Sequence, residues 1–232
     1  MASKLTTLSR QHSITPKPSL PVKRPRSSPS TSPSAPSPPE KRTCAYFAKT
    51  SDTPHQIPVK RHEGAKHTWA LPAIKKPLLV IGDSNLSRIS SSPTEAIQIE
   101  SFSGAQFHHI NKILKNCEQT EKPDKIIISI GINNRKSNTG TTSLPEFRNM
   151  INQAKKCFPN SELYIPIINF SDHLEEKEKE NLATLNEFLA DQPKAITIPP
   201  LSSNHFKVGY DAIHWTTQTA NAMVKHWLGH LN

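Results

Sequence analysis

Cysteine is scarce: Cys44, Cys117 and Cys157 are the only three in 232 residues, and three thiols cannot close a paired disulfide framework. Cys44 stands in polar sequence, while the other two fall on helix-like apolar stripes. This usage reads as reduced thiols of an intracellular protein, cytoplasmic or nuclear. Long hydrophobic runs are also missing, and nothing approaches the ~18 apolar residues that a spanning helix requires. Lys4 is not followed by the apolar core of ~7–15 residues that marks a secretory signal. Acidic charge is nearly absent from the first third. Residues 1–76 carry 14 basic and 3 acidic side chains, a net of +11, whereas residues 77–232 carry 15 and 16, a net of −1. The formal +10 of the whole chain therefore belongs to one arm, which does not fit a compact nucleic-acid-binding domain that is basic throughout.

That arm is expected to stay unfolded. Residues 1–76 hold 12 of the 21 prolines and 11 serines, with scattered apolar positions. Too little apolar surface is present to offset roughly 1–2 kcal/mol of backbone ordering entropy per residue. The closely spaced prolines from Pro16 to Pro39 remove donors and forbid helix, so an extended, partly polyproline-II coil is expected. Lys23, Arg24 and Arg26, with Lys41 and Arg42 further on, form basic clusters suited to nucleic acid or an import receptor. The alternative is a generic solvated tail. Residues 65–76, with Trp69, are ambiguous between the tail and a segment packed on the domain edge.

After Pro77 the texture changes. Short continuous apolar runs recur at 78–81, 97–102, 126–130, 163–168 and 195–198, as expected for strands buried on both faces. Helical stripes lie between them: Phe107 to Cys117, Phe147 to Phe158, Leu182 to Leu189, and Ala220 to Leu231. Ser143 and Glu146 have the spacing of a capping box before the second stripe. This alternation predicts one α/β domain over 77–232, a five-stranded parallel sheet with helices on both faces. Ligands of such sheets bind beyond the carboxyl ends of the strands.

The residues leaving those strands carry chemistry. The first strand exits into Gly82-Asp83-Ser84-Asn85, the second into Ser103-Gly104, the third into Gly131-Ile132-Asn133-Asn134. Asp211-Ala212-Ile213-His214 precedes the last helix, whose start is signalled by Thr216 or Thr217. A serine hydroxyl needs a base to become a nucleophile, and His214 can serve. Asp211 can fix the imidazole tautomer. The N–H groups of Ser84 and Gly104 and the amide of Asn133 can stabilise an oxyanion.

These four ordered blocks resemble the SGNH (GDSL-type) hydrolases, over about residues 77–232. The resemblance implies a flavodoxin-like three-layer α/β/α sandwich and a cofactor-free, metal-independent esterase acting on a small acyl ester, either a lipid or an acetyl ester. It makes Ser84 the nucleophile, Asp211 and His214 the rest of the triad, and Gly104 and Asn133 the partners of Ser84 in the oxyanion hole. Asp83 becomes a structural turn residue. The sequences 82–88, 131–134 and 213–216 also resemble SGNH-like domains of vertebrate, especially fish, retrotransposons. That likeness implies the alternative, an inactive fold whose basic tail binds nucleic acid. Asn85 stands where the family usually has Leu or Ile, and Asn134 where it often has Asp. The short domain leaves little sequence for a lid.

Other polar clusters read as structural. His108 and His109 point about 100° apart on a helix, with no suitably spaced carboxylate or thiol for a metal. The acidic run of 175–180 reads as a solvated face near a helix N-terminus.

Overall fold

The computed structural model describes residues 55–56, 58–118 and 121–231. Cys44 and the basic clusters at Lys23, Arg24, Arg26, Lys41 and Arg42 lie outside the described residues. The strands are β1 (His55–Gln56), β2 (Val59–His62), β3 (Leu78–Gly82), β4 (Ser91–Ser92), β5 (Ile97–Phe102), β6 (Lys125–Ser129), β7 (Glu162–Pro166) and β8 (Ile196–Ile198). The helices are α1 (Phe107–Lys115), α2 (Leu144–Cys157), α3 (Glu176–Ala190) and α4 (Thr217–Leu228). All five apolar runs form strands, and all four apolar stripes form helices.

Six strands make one all-parallel sheet in the order β2-β5-β3-β6-β7-β8, while β1 and β4 pair separately and antiparallel. Without β2 the order is the flavodoxin-type 2-1-3-4-5, whose switch point lies between β3 and β6. Alternate residues of each strand serve opposite faces. Leu79, Ile81, Ile126, Ile128 and Ile165 meet Phe107, Ile110, Phe147 and Leu182 of α1, α2 and α3. Leu78, Val80, Ile127 and Tyr164 meet Ala220, Met223, Val224 and Trp227 of α4. Helices thus cover both faces, as expected of a three-layer sandwich. No helix among the described residues is long and apolar enough to cross a membrane.

Three expectations need correction. The sheet has six strands rather than five, because Val59–His62, assigned by texture to the tail, pairs with β5 in parallel. Its Lys60 and Arg61 are exposed, so the strand lacks a continuous apolar run. Trp69, Leu71 and Ile74 join the core as well. Ser143 does not cap α2: a π-helical turn over Thr139–Ser143 runs straight into the helix, and the Asn138 side chain accepts from Thr141 N–H at 2.9 Å instead. Glu146 turns to His108 Nδ1 at 3.3 Å. Glu178, in the acidic run, is buried, where Arg135 and Lys136 pair with it at 3.2 and 3.4 Å.

Candidate active site

β3 ends against β6 so closely that a Cβ on Gly82 would lie 2.2 Å from the Ser129 carbonyl oxygen. Only glycine permits that approach. Asp83 then caps the short 3₁₀ turn Ser84–Arg88, its carboxylate accepting from Asn85 N–H at 2.9 Å. Its carbonyl oxygen accepts from the Ser101 hydroxyl at 2.9 Å, which ties the exit of β3 to β5. Burial pushes the Asp83 carboxyl up to about 6, against the opposing pull of the Asn85 N–H and of His214.

Ser84 opens the turn half-buried. Its Oγ lies 3.0 Å from His214 Nε2, across 130 residues of sequence. His214 Nδ1 is hydrogen-bonded to Asp211 Oδ2. With Nδ1–H donating to the carboxylate, Nε2 is the acceptor and the Ser84 hydroxyl the donor. The other Asp211 oxygen accepts from the Ile213 and His214 N–H groups, each at 3.0 Å. The hydrogen bond from His214, aided by these two N–H groups, holds the Asp211 carboxyl well below the usual carboxylate range. Gly209 N–H donates to His214 C=O, and Val208 bridges Trp215, closing the loop on itself. Thr216 caps α4 by accepting from Thr219 N–H at 3.2 Å, so the helix starts just beyond the histidine.

The strand exits of β5 and β6 are braced against each other. Asn133 Nδ2 donates to Ala105 C=O at 3.1 Å, and Gln106 Nε2 donates to Asn133 C=O at 2.7 Å. The Asn133 amide keeps a second hydrogen beyond the one given to Ala105. Gly104 sits at φ +67°, in the left-handed region. Asn134 is buried and accepts from Phe107 N–H at 3.3 Å, ordering the start of α1. Gln106 and His109 form a reciprocal cap there, with His109 Nδ1 accepting from Gln106 N–H at 3.0 Å. Burial, then the charges of His108, Lys66 and Lys112, lower His109 to about 4, consistent with an unprotonated accepting nitrogen. A cleft of about 750 Å³ flanks the Asp211 loop, with Phe170, Phe206, Lys207 and Tyr210 in its wall.

Ser84, His214 and Asp211 are thus joined in one hydrogen-bonded chain, and Gly104 and Asn133 stand on neighbouring braced loops. Sequence reasoning noted Asn85 as a departure without assigning it a task. The fold gives it one: its Oδ1 accepts the Trp215 N–H. Lys66 also went without a task, and its ammonium donates to Gly104 C=O at 2.9 Å. Its signal was faint, a single lysine in sequence assigned to the boundary.

No family model matches the chain, and no curated protein matches it. Solved structures do match. A member of the lipolytic protein G-D-S-L family from Veillonella parvula is 13% identical, with a TM-score of 0.50 over 66% of this chain and 97% of that one. A structure described as a platelet activating factor from Streptococcus pneumonia is 17% identical, with a TM-score of 0.51 over 67% and 85%. A G-D-S-L family protein from Desulfitobacterium hafniense is 11% identical, with a TM-score of 0.51 over 66% and 98%. The chain has the fold of these G-D-S-L proteins.

Proposed function

We propose that the chain is a serine ester hydrolase acting on a small acyl ester. The observation carrying this reading is the unbroken chain from Ser84 Oγ through His214 to Asp211, assembled from segments 130 residues apart in sequence. Ser84 Oγ attacks the ester carbonyl while His214 Nε2 takes its proton, and Asp211 steadies the imidazolium. The oxyanion is met by the N–H groups of Ser84 and Gly104 and the free hydrogen of Asn133 Nδ2. Collapse of the tetrahedral intermediate expels the alcohol, which takes its proton from His214. Water, deprotonated by His214, then releases the acyl group from Ser84. The G-D-S-L folds of the Veillonella and Desulfitobacterium proteins are compatible with that chemistry.

The test uses the full-length chain with a fluorophosphonate probe and p-nitrophenyl acetate, beside Ser84→Ala. Labelling and turnover in the wild type alone are expected. No labelling, with equal turnover in both proteins, would remove the proposal.

A further inference from the structure

The segment 59–69 grips the end of β5 from two sides. The His62 ring stacks on Phe102, with centroids 4.1 Å apart and planes at 13°, while His62 Nε2 lies 2.7 Å from Glu100 Oε2. Trp69, 6% exposed, packs against the same Phe102 with ring centroids 5.5 Å apart. Between these anchors the chain turns through the 3₁₀ segment Lys66–Thr68. Phe102 is the last residue of β5, so this grip falls immediately before Ser103 and Gly104.

Two contacts then bracket Gly104. Ser103 N–H donates to His62 C=O at 3.4 Å. The Lys66 ammonium donates to Gly104 C=O at 2.9 Å. The first holds the peptide joining 102 and 103. The second holds the peptide joining 104 and 105, whose N–H also donates to Phe102 C=O at 3.0 Å. The peptide between them carries the Gly104 N–H, and with both neighbours fixed it loses the freedom to rotate. A glycine at φ +67° otherwise moves readily between backbone basins. The segment also braces the serine turn: Arg61 donates to Ser87 C=O at 3.0 Å, and the Ser87 hydroxyl donates to Ser84 C=O at 2.7 Å.

We propose that segment 59–69 is a working part of the catalytic site, in which Lys66 is a positioning residue that aims the Gly104 N–H at the oxyanion. This rests on the esterase reading above. Lys66 touches no reacting atom; it acts through the Gly104 carbonyl.

The test compares full-length wild type, Lys66→Met and Lys66→Arg on p-nitrophenyl acetate, with amide hydrogen exchange at Ser103 and Ala105. Lys66→Met should lower kcat on the order of 10-fold, by misaiming a donor whose outright loss costs about 10²–10³, with KM and Tm unchanged. Lys66→Arg should recover most of kcat, since a guanidinium can reach the same carbonyl. Exchange at both amides should quicken in Lys66→Met and return in Lys66→Arg. Wild-type kcat in Lys66→Met, or an arginine variant no better than methionine, would overturn the proposal. If the wild type neither labels with fluorophosphonate nor turns over, the esterase reading falls, and exchange alone decides whether Lys66 fixes this turn. Unchanged exchange overturns it.

Discussion

Asn85 Oδ1 accepts the Trp215 N–H at 2.9 Å, and both groups are buried. Asn85 follows Ser84, and Trp215 follows His214, so one hydrogen bond joins the two backbones that carry the Ser84–His214 contact. A leucine at this position would leave the Trp215 N–H buried and unpaired.

Asn85→Leu should therefore cost about 1–3 kcal/mol of stability, the penalty of an orphaned buried donor. It should also lower kcat by on the order of 10-fold, because the histidine loop is no longer clipped to the serine turn. Urea unfolding and p-nitrophenyl acetate kinetics measure the two effects. Full activity in the leucine variant would show that the clip does not set the catalytic distance.

Asp83 makes stability depend on pH in a particular direction. Its folded value of about 6 lies above the ordinary 3.8, so the folded chain binds this proton more tightly. Its contribution is full below pH ~4 and is lost as pH rises through 6, a change of about 3 kcal/mol at most. Asp83→Asn keeps an acceptor for Asn85 N–H and removes the ionisation. The variant should match the wild type near pH 4 and exceed it above pH 7, as read from Tm across pH. Parallel curves would refute the assignment.

Asp211→Asn separates loop geometry from tautomer control. The new amide oxygen can still accept from the Ile213 and His214 N–H groups, so Tm should hardly move. The amide no longer favours Nδ1–H, and kcat should fall by on the order of 10³–10⁴. In the wild type the Asp211 carboxyl lies well below the usual range. It remains ionised as pH falls through the ordinary carboxylate values, so an acid limb of activity in that range comes from another group.

Gly82→Ala should lose roughly 1–3 kcal/mol, because the nearest clash is with the Ser129 backbone, which cannot swing aside as a side chain can. The added methyl carbon would lie 2.2 Å from Ser129 C=O and 2.8 Å from Leu86 Cδ1. Relief requires β3 and β6 to part, which shifts Ser84. Thermal unfolding and fluorophosphonate labelling should both decline; a variant as stable as the wild type would disprove this close approach.

Local pattern was enough to read most of the architecture. Continuous apolar runs such as Ile126-Ile127-Ile128 and stripes such as Phe107, Ile110 and Leu114 depend only on the period of their own element, so five strands and four helices were legible. Ser84, Gly104 and Asn133 were legible as chemistry at strand ends, and Asp211 and His214 as chemistry just before the last helix. The meeting of Ser84, His214 and Asp211 followed only from the family resemblance, because no local pattern reaches a 3.0 Å contact spanning 130 residues, which strand order sets. β2 escaped notice since an edge strand needs no apolar run: His62 earns its place by stacking on Phe102 and pairing with Glu100, partners some forty residues away. The tasks of Asn85 and Lys66 were hidden for the same reason. Each side chain binds a backbone group distant in sequence, and a backbone amide or carbonyl has no letter of its own to announce the pairing. Hydrophobic period is a property of neighbours along the chain; a polar clip exists only once folding has chosen which neighbours meet in space.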